Sequence, residues 1–204
     1  MAAQDQRGST PLHEASFMGH LVLAWFLVEL GANMAAQDQS GWAPLHMASQ
    51  QGHLDLAWFL IEQGANTAAQ DQRGWTLLFQ ASLNGHLDLA QFLVKHNAAA
   101  AAQDQRGLTL LHLASFNGHL NIAQFLVGHG VNTETQDQGV STPLHLASFN
   151  GHLDVAQFLV DHGTNVAAND KCGSTPLHQA SLDNHLDLAQ FLIKHGANTA
   201  VQDQ

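Results

Sequence analysis

The sequence predicts an all-α fold, a solenoid of stacked helix–turn–helix units, and three observations carry that prediction. A Thr-Pro-Leu-His marker returns every 33 residues, six times, without insertion or deletion. A Gly-His-Leu marker keeps the same step behind it. Around the markers the apolar residues are spaced for short helices, and Gln, Asp and Gly clusters separate one unit from the next.

The first marker reads Thr10-Pro11-Leu12-His13, Ala43-Pro44-Leu45-His46, Thr76-Leu77-Leu78-Phe79, Thr109-Leu110-Leu111-His112, Thr142-Pro143-Leu144-His145 and Thr175-Pro176-Leu177-His178. The second begins at Gly19, Gly52, Gly85, Gly118, Gly151 and Asn184.

In the first unit Thr10 suits the N-cap and Pro11 the first helical position, where its missing N–H costs nothing. This helix runs to Gly19, a residue suited to a left-handed stop. A second helix begins near Leu21 and ends at Gly31. It is apolar almost all round, as a helix buried between two neighbours would be; only positions 22, 25 and 29 escape, and later copies usually place polar residues there. A D-x-x-G turn such as Asp38–Gly41 then leads into the next unit.

These residues resemble the ankyrin-repeat family: the T-P-L-H-x-A signature at a 33-residue period is that family's, and the resemblance covers essentially all 204 residues. It implies a single array over 1–204 with β-hairpin-like turns, its repeats at approximately 5–37, 38–70, 71–103, 104–136, 137–169 and 170–202, and a partial seventh turn at 203–204. It also implies that the TPLH and GH histidines bond neighbouring backbone and tie the units together.

Departures from the pattern are informative. Asn97 replaces the glycine that ends the second helix and Asn184 the glycine that ends the first; Asn is the next-best left-handed residue. Ala43 loses a cap worth roughly 1 kcal/mol. The fifth unit has Gly139-Val140 where others place glycine second, and because a β-branched residue resists positive φ a rearranged turn is expected at 138–141. Repeat arrays need polar outer faces on their terminal units. The first unit is instead the most apolar, so the chain reads as a slice of a longer array.

Composition excludes several classes of function. Seventeen Asp and Glu against six Lys and Arg give a formal charge of −11, which disfavours a nucleic-acid partner. The longest apolar run, Leu21–Val28, is eight residues, far short of a membrane span, and no membrane partner is expected. With no apolar signal core at the N-terminus and one cysteine, Cys172, a cytoplasmic or nuclear location is expected.

Fifteen histidines invite a metal hypothesis, yet every one is a repeat position: five in TPLH, six in GH and four late in the second helix, at 96, 129, 162 and 195. Metal ligands must converge rather than march along an array, so no metal and no cofactor is expected. Cys172 lies beside Lys171, but no general base held by a third group accompanies it. No enzymatic activity is expected. Buried neutral imidazoles should nevertheless make stability fall between about pH 6.5 and 5.

Residues that vary between copies are the candidates for recognition. By the resemblance, the turn tips and first-helix ends line a concave groove that grips a protein or peptide. The candidates there are Arg7, Phe17, Trp42, Gln50, Arg73, Trp75, Leu83, Arg106, Leu108, Phe116, Asn117 and Phe149. Trp42, Trp75 and Leu108 are expected to form a stripe with Arg73 and Arg106 beside it, and Leu83, Phe116 and Phe149 a parallel row; Trp and Arg are favoured at binding hot spots. Trp25 and Trp58, with Val22, occupy outward positions of adjacent second helices and predict a convex apolar patch. The leading function is a non-catalytic protein-interaction scaffold. The alternative is a structural spacer, or a repeat fragment that self-associates end to end through uncapped terminal repeats.

Overall fold

The computed structural model describes residues 4–199, and among them it contains twelve helices. The chain divides into two compact bodies, Met1–Ala99 and Ala100–Gln204, each holding three helical pairs. The first contains α1 (Pro11–Phe17), α2 (Leu21–Glu29), α3 (Pro44–Gln51), α4 (Leu54–Glu62), α5 (Leu77–Leu83) and α6 (Leu87–Lys95). The second contains α7 (Leu110–Phe116), α8 (Leu120–Gly128), α9 (Pro143–Phe149), α10 (Leu153–Asp161), α11 (Pro176–Leu182) and α12 (Leu186–Lys194).

Within the first body the first helices of each repeat, α1, α3 and α5, pack side by side, and the second helices, α2, α4 and α6, form the other layer. The second body repeats this arrangement with α7, α9, α11 and α8, α10, α12. Leu12, Leu45, Leu56, Leu60, Leu77, Phe79 and Leu89 fill the first core. Leu111, Ile122, Leu126, Leu144, Leu159 and Leu192 fill the second. Burying such a side chain contributes about 1.5–3 kcal/mol, and the period places one at each equivalent position.

Histidines hold successive repeats together. The Thr10 N–H donates to Nδ1 of His13 over 3.1 Å, so Nδ1 is an acceptor and Nε2 carries the proton, which it donates to the Trp42 carbonyl at 2.9 Å. In the second body His112 reaches the Ser141 carbonyl at 3.0 Å and His145 that of Ser174 at 3.1 Å. The GH histidines point the other way along the chain: Nε2 of His53 donates to the Phe17 carbonyl and that of His86 to Gln50. His152 and His185 do the same toward Phe116 and Phe149. The expected ties therefore run in both directions. The late-helix histidines do a different job. His129, His162 and His195 donate Nδ1–H to the carbonyl four residues back, each at 2.8 Å, and close their own helix ends.

Each turn is built on its aspartate. Asp71 Oδ1 accepts the Arg73 and Trp75 N–H groups, and Asp38 does the same for Ser40 and Trp42. Neighbouring turns are stitched by backbone bonds from Gln39 to Arg7 and from Gln72 to Ser40, and by the amide of Gln72 donating to the Gln39 carbonyl at 2.7 Å. Antiparallel bridges at Gln70–Thr76 and Gln103–Thr109 give the turns their hairpin character.

Thr10 and Thr142 sit at the N-cap as expected, and each hydroxyl donates to the imidazole Nδ1 of His13 or His145, which also accepts the threonine backbone N–H. Two expectations need correction. The turn at 138–141 is not rearranged: Val140 is held at φ 61° because Asp137 makes the same bonds to Gly139 and Ser141 that Asp38 makes to Ser40 and Trp42. Finally, α2 is covered on one side only, so Ala24 alone is buried and Leu21, Leu23 and Phe26 are exposed. Asn97 and Asn184 adopt left-handed φ values of 67° and 58°, as the substitutions imply.

Candidate functional site

In the first body the turn tips and first-helix ends converge on a hollow. The turns of the first two repeats meet α1 and α3 around a hollow of about 440 Å³. Arg7, Ser9, Phe17, Trp42, Met47 and Gln50 line it, with Glu14, Asp38, Gln39 and Ser40. Four of the candidate residues, Arg7, Phe17, Trp42 and Gln50, are thus brought together. The Phe17 ring is held out at 39% exposure while its carbonyl is fixed by His53. Trp42 is half-buried, donates Nε1–H to Asp71 Oδ2 at 3.1 Å and stacks on His46. The lining thus mixes a cation, two carboxylates and apolar faces.

Trp75 stands apart from this group. It is 7% exposed, stacked on Phe79 at 5.9 Å under the Arg73 guanidinium, 4.9 Å from its ring. The expected stripe therefore offers no free indole face at 75. Phe79 sits where the other repeats carry histidine and covers one face of the indole, while Arg73 covers the other. Arg73 remains exposed and Leu83 is half-buried.

In the second body Phe116 and Phe149 end equivalent helices with their rings exposed and their carbonyls pinned by His152 and His185. Leu108 is half-buried, and Arg106 is exposed beside Asp104 at 3.8 Å, where screening by water makes the ion pair weak. The Asn117 amide donates to the Leu113 carbonyl at 3.0 Å and so serves its own helix end.

Val22, Trp25 and Trp58 lie outside on α2 and α4, 81%, 51% and 53% exposed. With Leu21, Asp55 and Phe59 they line a second hollow of about 440 Å³. The sequence had flagged the tryptophans but not Asp55, whose position one helical turn before Trp58 was the available signal.

Among the described residues no group of three or more His, Cys, Asp or Glu side chains could hold a metal ion, and no helix is long and apolar enough to cross a membrane. Cys172 is exposed.

No curated protein sequence matches the chain. The family model for ankyrin repeats (3 copies) does, over residues 1–71, 64–137 and 127–203. Each match spans about two of the 33-residue periods, which reconciles three matches with six copies. With the helical pairs, the histidine ties and these matches in agreement, the chain belongs to the ankyrin-repeat family.

Proposed function

We propose that this chain binds a protein or peptide partner through the hollow lined by Arg7, Phe17, Trp42, Met47 and Gln50. Ankyrin repeats are in general protein-interaction modules without catalytic activity. The observation that carries the finer reading is that hollow, whose walls belong to two repeats locked by the His13–Trp42 and His53–Phe17 bonds. A surface fixed before the partner arrives loses little freedom on binding, which favours affinity.

Arg7→Glu with Phe17→Glu tests this. Both side chains are exposed, so the helical signal should persist while capture of the native partner is lost. Capture undiminished in the double variant, with the fold intact, removes the hollow from the function. Trp42→Ala is the poorer probe, since its indole also supports Asp71.

A second reading, self-association, is favoured by the exposure of Leu23, Phe26 and Leu30 on one body and of Leu182, Leu186 and Ile193 on the other. It predicts a sedimenting mass that grows with concentration and returns to the monomer value when Leu182 and Leu186 are changed to Gln. A concentration-independent monomer mass removes it.

A further inference from the structure

We infer that the outer face of α2 and α4 is a docking site for a cationic amphipathic helix of a partner protein. The hollow between Trp25 and Trp58 is walled by Leu21, Val22 and Phe59, with Asp55 at its rim. Residues three and four apart share a helix face. Asp55 therefore lies one turn before Trp58, and Glu29 and Glu62 lie one turn after Trp25 and Trp58; all three carboxylates are exposed. The face is an aromatic strip with acid on either side. The next residue in the Glu29–Glu62 register is Lys95 on α6, which closes the acidic row there.

Charge selects the occupant. A second copy docking back to back would set these three carboxylates against the same three, and an anionic lipid surface would be repelled likewise. A helix with apolar side chains on one stripe and Lys or Arg beside it satisfies both parts of the face. Its ridge enters the groove between two packed helices, and its cations meet the indole faces and the carboxylates together. The later repeats carry Gln91, Gln124, Gln157 and Gln190 in the tryptophan register, all exposed, so the fold does not require an aromatic residue there. This site is separate from the hollow at Arg7 and Phe17 and does not depend on it.

The test uses the full chain and a fluorescent Leu/Lys helical peptide of about 18 residues, roughly five turns, followed by anisotropy, with the Leu/Glu counterpart as comparison. The Lys peptide should bind and the Glu peptide should not. Trp25→Gln with Trp58→Gln, the protein's own solution elsewhere, should weaken binding roughly tenfold or more. Glu29→Gln, Asp55→Asn and Glu62→Gln together should weaken it at low salt and flatten its salt dependence. Arg7→Glu with Phe17→Glu should leave it unchanged. Binding undiminished by the tryptophan change, equal binding of the Glu peptide, or a dimer that the tryptophan change dissolves would each overturn the assignment.

Discussion

His86 of the third repeat lies so close over Gly52 of the second that a methyl group added at position 52 would meet its Nδ1 at 2.5 Å. The same imidazole donates Nε2–H to the Gln50 carbonyl at 2.9 Å, so it is not free to move aside. Gly52 is also left-handed, at φ 74°. Gly64 in the same repeat is left-handed too, at φ 91°, but has nothing within 4 Å of an added methyl group. Gly64→Ala should cost only the backbone term, about 1–2 kcal/mol. Gly52→Ala should cost distinctly more, because it also breaks a tie between repeats. Urea midpoints of the two variants decide this, and equal losses would mean the imidazole yields without cost.

Stability should fall as the pH drops below 6.5. Burial away from water holds the imidazoles of His46, His112 and His145 below their ordinary value of 6.5, against the opposing pull of nearby carboxylates and carbonyls such as Asp71, Ser141 and Ser174. Nδ1 of His112 and of His145 already accepts a backbone N–H, so a second ring proton has nowhere to go without breaking that bond. Below pH 6.5 the unfolded chain therefore binds more protons than the folded one. The stability is fully present above that pH and is lost as the pH falls toward the folded values. Each histidine contributes at most about 1.4 kcal/mol per pH unit in that window. A urea midpoint that is the same at pH 7.5 and 5.5 would contradict this.

Trp75→Ala should behave as a core truncation. The indole is sealed between Phe79 and the Arg73 guanidinium, so its loss should cost about 3–5 kcal/mol and lower the thermal midpoint. A variant as stable as the parent that has lost partner capture would return Trp75 to the recognition surface.

The period made the helical pairs legible, because a 33-residue repeat fixes every core position once one unit is read. It also made the histidine ties legible, since fifteen imidazoles at repeat positions are architecture before they are chemistry. What single positions do was harder to read. Trp42 and Trp75 occupy the same register, yet one lines a hollow and the other is buried. Trp75 is covered by Phe79 on one face and the Arg73 guanidinium on the other, where the second repeat has His46 and Ser40, and no spacing rule reports such contacts. The patch at Trp25 and Trp58 was legible because its register is polar in every later copy, which makes an aromatic residue there conspicuous.

Val140 shows how far a turn can impose its shape on an unsuitable residue. Glycine occupies this register at 8, 41, 74, 107 and 173, each with φ near 80°, and valine takes φ 61° in the fifth copy. Three bonds to Asp137 hold it there: the Val140 N–H to the carbonyl at 2.9 Å, and the Gly139 and Ser141 N–H groups to Oδ1 at 2.8 and 2.9 Å. The preceding carbonyl of Gly139 is in turn fixed by the Lys171 N–H at 2.8 Å. Left-handed backbone costs an L-residue about 1–2 kcal/mol, and more for a β-branched one. Val140→Gly removes that strain while giving the unfolded chain about 0.4–1 kcal/mol of added freedom. The net gain should be about 1 kcal/mol, a rise of about 2–4 °C in the thermal midpoint. The reverse change in the second repeat, Gly41→Val, should destabilise more strongly, because a side chain there also meets the Gln72 backbone nitrogen at 3.1 Å. If Val140→Gly lowered the midpoint instead, the valine would be contributing packing that outweighs its backbone strain.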